Sequence, residues 1–80
     1  MTRDIGQTRK LAKAYSENKT FTYVKELVNG RINFYNGFVV KVHTDMILFY
    51  DEIFKKEIPI LLETIEVIEP SRRKEDYGNN

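Results

Sequence analysis

The sequence predicts a mainly β fold, a small, five-stranded, strongly bent barrel preceded by an N-terminal α-helix. Three observations predict it. Two runs rich in β-branched and aromatic residues, 38–42 and 46–51, flank a polar tripeptide, as the strands of a hairpin do. Asn29-Gly30 marks a second hairpin, because both residue types tolerate the positive φ angles of a type I′ turn. Gly37 interrupts the long strand between these signals, where glycine is typical of a bulge or bend.

The composition is that of a small folded protein. The 80 residues allow one core, and 41% hydrophobic with 31% charged residues is typical of a soluble globular chain. There is no cysteine and only one histidine, so we expect no disulfide, no metal centre and no cofactor. No apolar run has the length of a signal peptide or a transmembrane helix. We therefore expect a cytoplasmic protein without a membrane partner.

The N-terminal segment predicts a helix over about residues 4–17. Thr2 or Asp4 is a suitable N-cap, and apolar residues then recur at helical spacing. This pattern favours a short amphipathic helix that covers one end of the barrel. The alternative is a helix that grips phosphate with its basic residues, which are Arg9, Lys10 and Lys13.

Five strands are predicted after the helix. They cover residues 20–28, 31–42, 46–51, 58–61 and 65–69. Pro59 cannot donate a ladder hydrogen bond, so its strand belongs at an edge or begins there. Residues 62–64 form a tight turn, and Pro70 ends the last strand. We expect one domain over residues 1–70 and a polar, disordered tail over residues 71–80.

Two groups of side chains have an ordinary structural explanation beside a functional one. The acids Asp51, Glu52 and Glu57 flank a predicted turn without the spacing of a metal-binding loop, so we expect a solvated face. The aromatic residues either form the core or stack nucleic-acid bases on a sheet face, and core is the commoner role. These residues are Phe21, Tyr23, Phe34, Tyr35, Phe38, Phe49 and Tyr50.

The stretch from about residue 23 to residue 70 resembles the Sm-like small-barrel superfamily. Gly37 falls on the glycine of the first Sm motif, Met46 on its methionine and Asp51 on its final acid. Leu48 and Tyr50 continue the apolar pattern. The resemblance implies a five-stranded barrel that assembles into oligomers and binds RNA. SH3-like barrels share the same strand pattern and stay open as the alternative fold.

The chain departs from the family at the RNA-reading positions. His43 replaces the motif's aspartate, Asp45 its base-stacking residue and Ile47 its base-contacting asparagine. Leu61-Leu62 replaces the Arg-Gly of the second motif. Because unpaired bases are read by flat side chains and edge hydrogen bonds, these positions do not provide the family's uridine pocket.

The charges complete the functional prediction. The net charge is only +1, yet basic residues cluster near both ends of the chain. We expect a non-enzymatic RNA-associated module that binds weakly through phosphate contacts. The five candidate contact residues are Lys41, His43, Arg72, Arg73 and Lys74. The alternative is a protein–protein assembly module that has lost RNA binding. In either case we expect a homo-oligomer, a ring or a dimer, formed through strand edges.

Overall fold

An antiparallel five-stranded sheet and one N-terminal helix form the fold, which confirms the mainly β prediction. The structure is a computed structural model, and it describes residues 4–71. The elements in chain order are α1 (Ile5–Glu17), β1 (Thr22–Val28), β2 (Arg31–Val42), β3 (Met46–Asp51), β4 (Lys56–Leu61), the 3₁₀ turn η1 (Leu62–Thr64) and β5 (Ile65–Pro70).

The sheet has the strand order β4-β3-β2-β1-β5 and is not closed, so the predicted barrel is open. Strands β4 and β5 form its two edges, yet only η1 joins them along the chain. In a flat sheet these strands would lie about four spacings, or roughly 19 Å, apart. The chain from Leu61 to Ile65 can span at most about 14 Å even when extended. The sheet must therefore curl strongly.

The helix α1 begins where the sequence predicts. The side chain of Asp4 accepts a hydrogen bond from the backbone N–H of Gln7 at 3.1 Å, the usual geometry of an N-cap. At the other end, the backbone N–H of Asn18 donates to the carbonyl of Ala14 at 3.0 Å. Ala12 is fully buried, and the helix contacts β2, β5 and η1. The helix therefore covers the curled sheet, as the amphipathic pattern indicates.

The turn between β1 and β2 confirms the Asn29-Gly30 hairpin. Both residues have positive φ, 52° and 78°, and Val28 pairs with Arg31 across them. The second predicted hairpin is also present, since residues of β2 pair with β3 from Gly37 to Val42.

Strand β2 belongs to two hairpins at once, and Gly37 is the residue where they meet. It pairs with Thr22 of β1 on one side and with Asp51 of β3 on the other. The shift in strand register lies further along, between Val39 and Lys41, so Val40 rather than Gly37 is the extra residue of the bulge. The sequence correctly predicted an irregularity in this part of β2. It indicated Gly37 as the position, three residues before the bulged Val40.

The core lies inside the curl. Its fully buried members include Val24, Ile47, Phe49, Ile60 and Leu62. Leu62 belongs to η1, which contacts β1, β3 and the helix. The connection between the two edge strands therefore fills part of the core instead of passing outside it.

Asp51 corrects the prediction of a solvated acidic face. Its side chain is fully buried, whereas Glu52 is partly exposed and Glu57 exposed. The reason is strand alternation, which puts residue 51 on the same face of β3 as the buried residues Ile47 and Phe49. One carboxylate oxygen, Oδ1, accepts the backbone N–H of Ile53 at 2.8 Å and so shapes the turn after β3.

Candidate functional site

A cleft of about 550 Å³ lies between α1 and the end of β2. One wall is the exposed side of the helix, and the other is the end of the strand with the first residues after it. Its lining residues are Arg9, Lys13, Ser16, Glu17, Val40, Lys41, Val42, His43 and Thr44.

Basic side chains outnumber acidic ones in the lining of this cleft. Arg9 and Lys13 come from the helix, Lys41 from the strand, and His43 from the connection to β3. Glu17 is the one acid among the lining residues. Arginine and lysine donate charge-assisted hydrogen bonds to phosphate and carboxylate oxygens. The cleft therefore has the chemistry of an anion-binding site.

Local structure places both pairs of basic residues at the cleft. Arg9 and Lys13 are four apart in α1 and so lie on one side of the helix. Lys41 lies near the end of β2 and His43 directly follows the strand, and both are exposed and line the cleft. Lys41 is on the outer face of β2, because Tyr35, Val39 and Val42 pack on the core.

A hydrogen bond fixes the two walls to each other. The Nε–H of Arg9 donates to the backbone carbonyl of Thr44 at 2.8 Å, which ties the helix to the β2–β3 connection. That bond uses one of the five N–H donors of the guanidinium group. The backbone N–H of His43 donates to the carbonyl of Met46 at 2.8 Å and closes the connection. Arg9 therefore holds its position at the rim of the cleft, and its guanidinium group has four further N–H donors.

The structure brings together part of the predicted site. Lys41 and His43 line the cleft, and both are exposed. The three basic residues of the tail, Arg72, Arg73 and Lys74, lie outside the described residues. The described chain ends at Ser71, whose backbone N–H donates to the carbonyl of Phe21 at 2.8 Å and whose hydroxyl donates to Asn36 Oδ1 at 2.8 Å.

Arg9 and Lys13 are not among the five predicted contacts, although the sequence offered them as the alternative, phosphate-gripping role of the helix. Their basic helix pattern was the available signal, but periodicity alone does not show which strand the helix faces. Lys10, the third basic residue of that pattern, lies with Arg9 and Lys13 at a neighbouring cavity of about 450 Å³. The basic surface of the helix is thus continuous from one cavity to the next.

A separate polar network lies on the inner face of the β1–β2 hairpin. Glu26 is buried, and its Oε1 accepts the hydroxyl of Tyr35 at 2.9 Å and the side-chain amide of Asn33 at 3.2 Å. Burial, the hydrogen bond to Glu26 and the negative charges of Glu26 and Asp51 raise the pKa of Tyr35 to about 12. These contacts explain why polar side chains are tolerated inside the curl.

The inner acids do not assemble into a metal site. Within residues 4–71, no group of three histidine, aspartate or glutamate side chains is placed to hold a metal ion. Asp51 Oδ2 is buried and finds no hydrogen-bond partner in the described part of the chain. The described helix is too short and too polar to cross a membrane.

Comparison with known proteins found no matching family model, curated protein or solved structure.

Proposed function

We propose that this protein is a non-enzymatic RNA-associated module that holds the phosphate backbone in the cleft between α1 and β2. One observation carries the proposal: the basic side chains of two separate elements, Arg9 and Lys13 with Lys41 and His43, line one open cleft. Phosphate contacts of this kind attract any nucleic-acid sequence, because they release counterions and read no base.

The expected binding is weak and poorly selective for uridine. Ile47, at the position of the Sm motif's base-contacting asparagine, is fully buried in the core, so its side chain cannot meet a base. Asp45, at the base-stacking position, is exposed but has no flat side chain and carries a negative charge. The family's way of reading RNA is therefore missing from these two positions.

We propose further that the open, curled sheet is a distant variant of the Sm-like barrel. The supporting features are the order of the elements, the glycine at the centre of a long second strand, and the one-turn η1 between the edge strands. SH3-like barrels have the same general features and are the alternative. The binding proposal does not depend on this choice, because it rests on the cleft.

The direct test is a titration of a fluorescently labelled single-stranded RNA at low salt, followed by anisotropy. The double variant Lys13→Gln/Lys41→Gln should bind about tenfold more weakly than the native protein, since it loses two phosphate contacts. Its matched control is Lys55→Gln/Lys56→Gln, which removes the same charge from the exposed β3–β4 region. An equal loss in both double variants would show that net charge, and not the cleft, determines binding.

A second candidate function is a protein–protein assembly module, and the two open sheet edges favour it. Strands β4 and β5 each have one side without a strand neighbour among the described residues. Leu61, at the end of β4, is 46% exposed. An uncovered edge is a template for another chain's strand. Self-association without any RNA binding at low salt would favour this function over the first.

A further inference from the structure

A stacked pair of aromatic rings lies on the outer face of the β1–β2 hairpin. The ring centroids of Tyr23 and Phe34 are 6.1 Å apart, with the planes only 17° from parallel. Phe34 is 57% exposed, although one face of its ring lies against Tyr23. The pair is not part of the core, in contrast to Phe49, which is fully buried.

The strand register extends this pair into an apolar surface with basic borders. Lys25 pairs with Phe34, and Leu27 pairs with Ile32, so all four share the outer face. Leu27 and Ile32 are 39% and 48% exposed.

The same face of β2 leads from the aromatic pair to the cleft. Residues 35, 39 and 42 pack on the core, so Phe34, Phe38 and Lys41 lie on the opposite side of the strand. A second ring contact lies between them, where Phe21 and Phe38 meet edge to face at 5.5 Å. Lys41 lies seven positions after Phe34, which is at most about 23 Å along the strand.

The size and charge of this surface indicate which kind of partner it can bind. A stable dimer needs roughly 20–30 residues on each side, many more than the few exposed apolar side chains present here. A single base needs only one flat ring, and Lys25 beside Phe34 and Arg31 at the turn offer positive charge for its phosphate. Two acids of β5 lie near this border: Glu69, which pairs with Tyr23, and the exposed Glu66. The small size of the surface and its exposed ring, more than its charge, favour a single-stranded nucleic acid over a second copy.

We propose that the exposed ring of Phe34 stacks an unpaired base of a single strand whose backbone continues into the basic cleft. This inference rests on the proposed function and adds the class of ligand to it: the strand must be unpaired, since a base in a duplex already stacks on its neighbours. Stacking needs only the face of a base and therefore adds affinity without sequence preference.

The test compares three labelled probes of about twelve nucleotides, a length within the range of small barrels. The probes are a single-stranded RNA, the same sequence as a duplex, and an abasic chain that keeps the phosphates. The Phe34→Ala variant should lose about fivefold to a hundredfold in affinity for the single strand and little for the abasic chain. The control is Phe54→Ala, which removes a ring that is 67% exposed on the β3–β4 turn.

The outcomes separate this inference from the proposed function. If the native protein and Phe34→Ala bind the single strand equally well, the stacking role is excluded while cleft binding stands. If the native protein binds none of the probes, both fail. If Phe34→Ala converts a dimer into a monomer in sedimentation, the surface is a protein interface and the inference is wrong. A melting temperature within a few degrees of the native protein's establishes that the variant is folded.

Discussion

Gly37 lies directly against the main chain of Tyr50. A Cβ atom at position 37 would overlap the carbonyl oxygen of Tyr50 and would come within 3.2 Å of the backbone nitrogen of Glu52. The reason is local: Gly37 pairs with both β1 and β3, so β2 passes from one partner to the other at this residue. The close approach of two backbones, not a special φ angle, makes glycine necessary here.

Replacement of Gly37 should therefore destabilise the fold severely. We expect Gly37→Ala to lower the free energy of unfolding by more than about 3 kcal/mol, because backbone rather than a flexible side chain occupies the space. Asn36→Ala loses the hydrogen bond from the Ser71 hydroxyl and should cost only about 1 kcal/mol. Urea denaturation of both variants measures the difference. Equal, small losses would show that the two strands can move apart at no great cost.

The sequence could predict the elements because their signals are local. Asp4 as an N-cap, Asn29-Gly30 as a tight turn and the alternation of β3 each depend on residues within a few positions of one another. The burial of Asp51 was also within reach of the alternation pattern, since residue 51 shares a face with Phe49. The charge of Asp51 suggested that its side chain is exposed. The alternation of β3 predicts its burial correctly.

The cleft could not be predicted because it depends on packing between distant segments. Arg9 and Thr44 are 35 positions apart, and their hydrogen bond exists only because α1 packs beside the end of β2. The sequence showed basic residues on the helix and the single candidates Lys41 and His43 in the β2 region, without showing that they meet. The open sheet is likewise a property of the whole fold, since closure depends on whether β4 meets β5.

Stability at alkaline pH should depend on Tyr35. Its folded pKa of about 12 lies above the ordinary tyrosine value of 10.0, so the folded protein holds this proton more tightly than the unfolded chain does. The contribution to stability is complete below about pH 10 and is lost as the pH rises to about 12. Tyr35→Phe should flatten the fall in unfolding free energy over this range, as measured by urea denaturation at a series of pH values. Identical pH profiles for the native protein and Tyr35→Phe would contradict this assignment.

Arg9 should contribute to RNA binding both through its charge and through the position that its hydrogen bond to Thr44 fixes. We expect Arg9→Ala to cost about 1 kcal/mol of unfolding free energy through loss of the bond to Thr44, and also to weaken RNA binding. Arg9→Lys keeps the charge but lacks the planar group that bonds the carbonyl while presenting further donors. It should therefore recover only part of the affinity. Full recovery in Arg9→Lys would show that charge alone is required.

Self-association should proceed through a sheet edge and should be sensitive to Leu61. A lysine at the end of β4 disfavours the approach of another strand, so Leu61→Lys should shift sedimentation toward the monomer. The matched control is Ile53→Lys, at a residue that is 58% exposed on the β3–β4 turn and not in an edge strand. A native protein that stays monomeric over a wide concentration range would exclude edge assembly.

The most direct test of the cleft is the salt dependence of RNA affinity. The logarithm of the binding constant should fall linearly with the logarithm of the salt concentration, with a slope of about 0.7 for each phosphate contacted on a single strand. Lys41→Gln should reduce that slope by about 0.7 for every sequence tested, and Lys56→Gln, on β4, should leave it unchanged. Tight binding of oligouridine that persists at high salt, or a slope that Lys41→Gln does not alter, would contradict phosphate binding in the cleft.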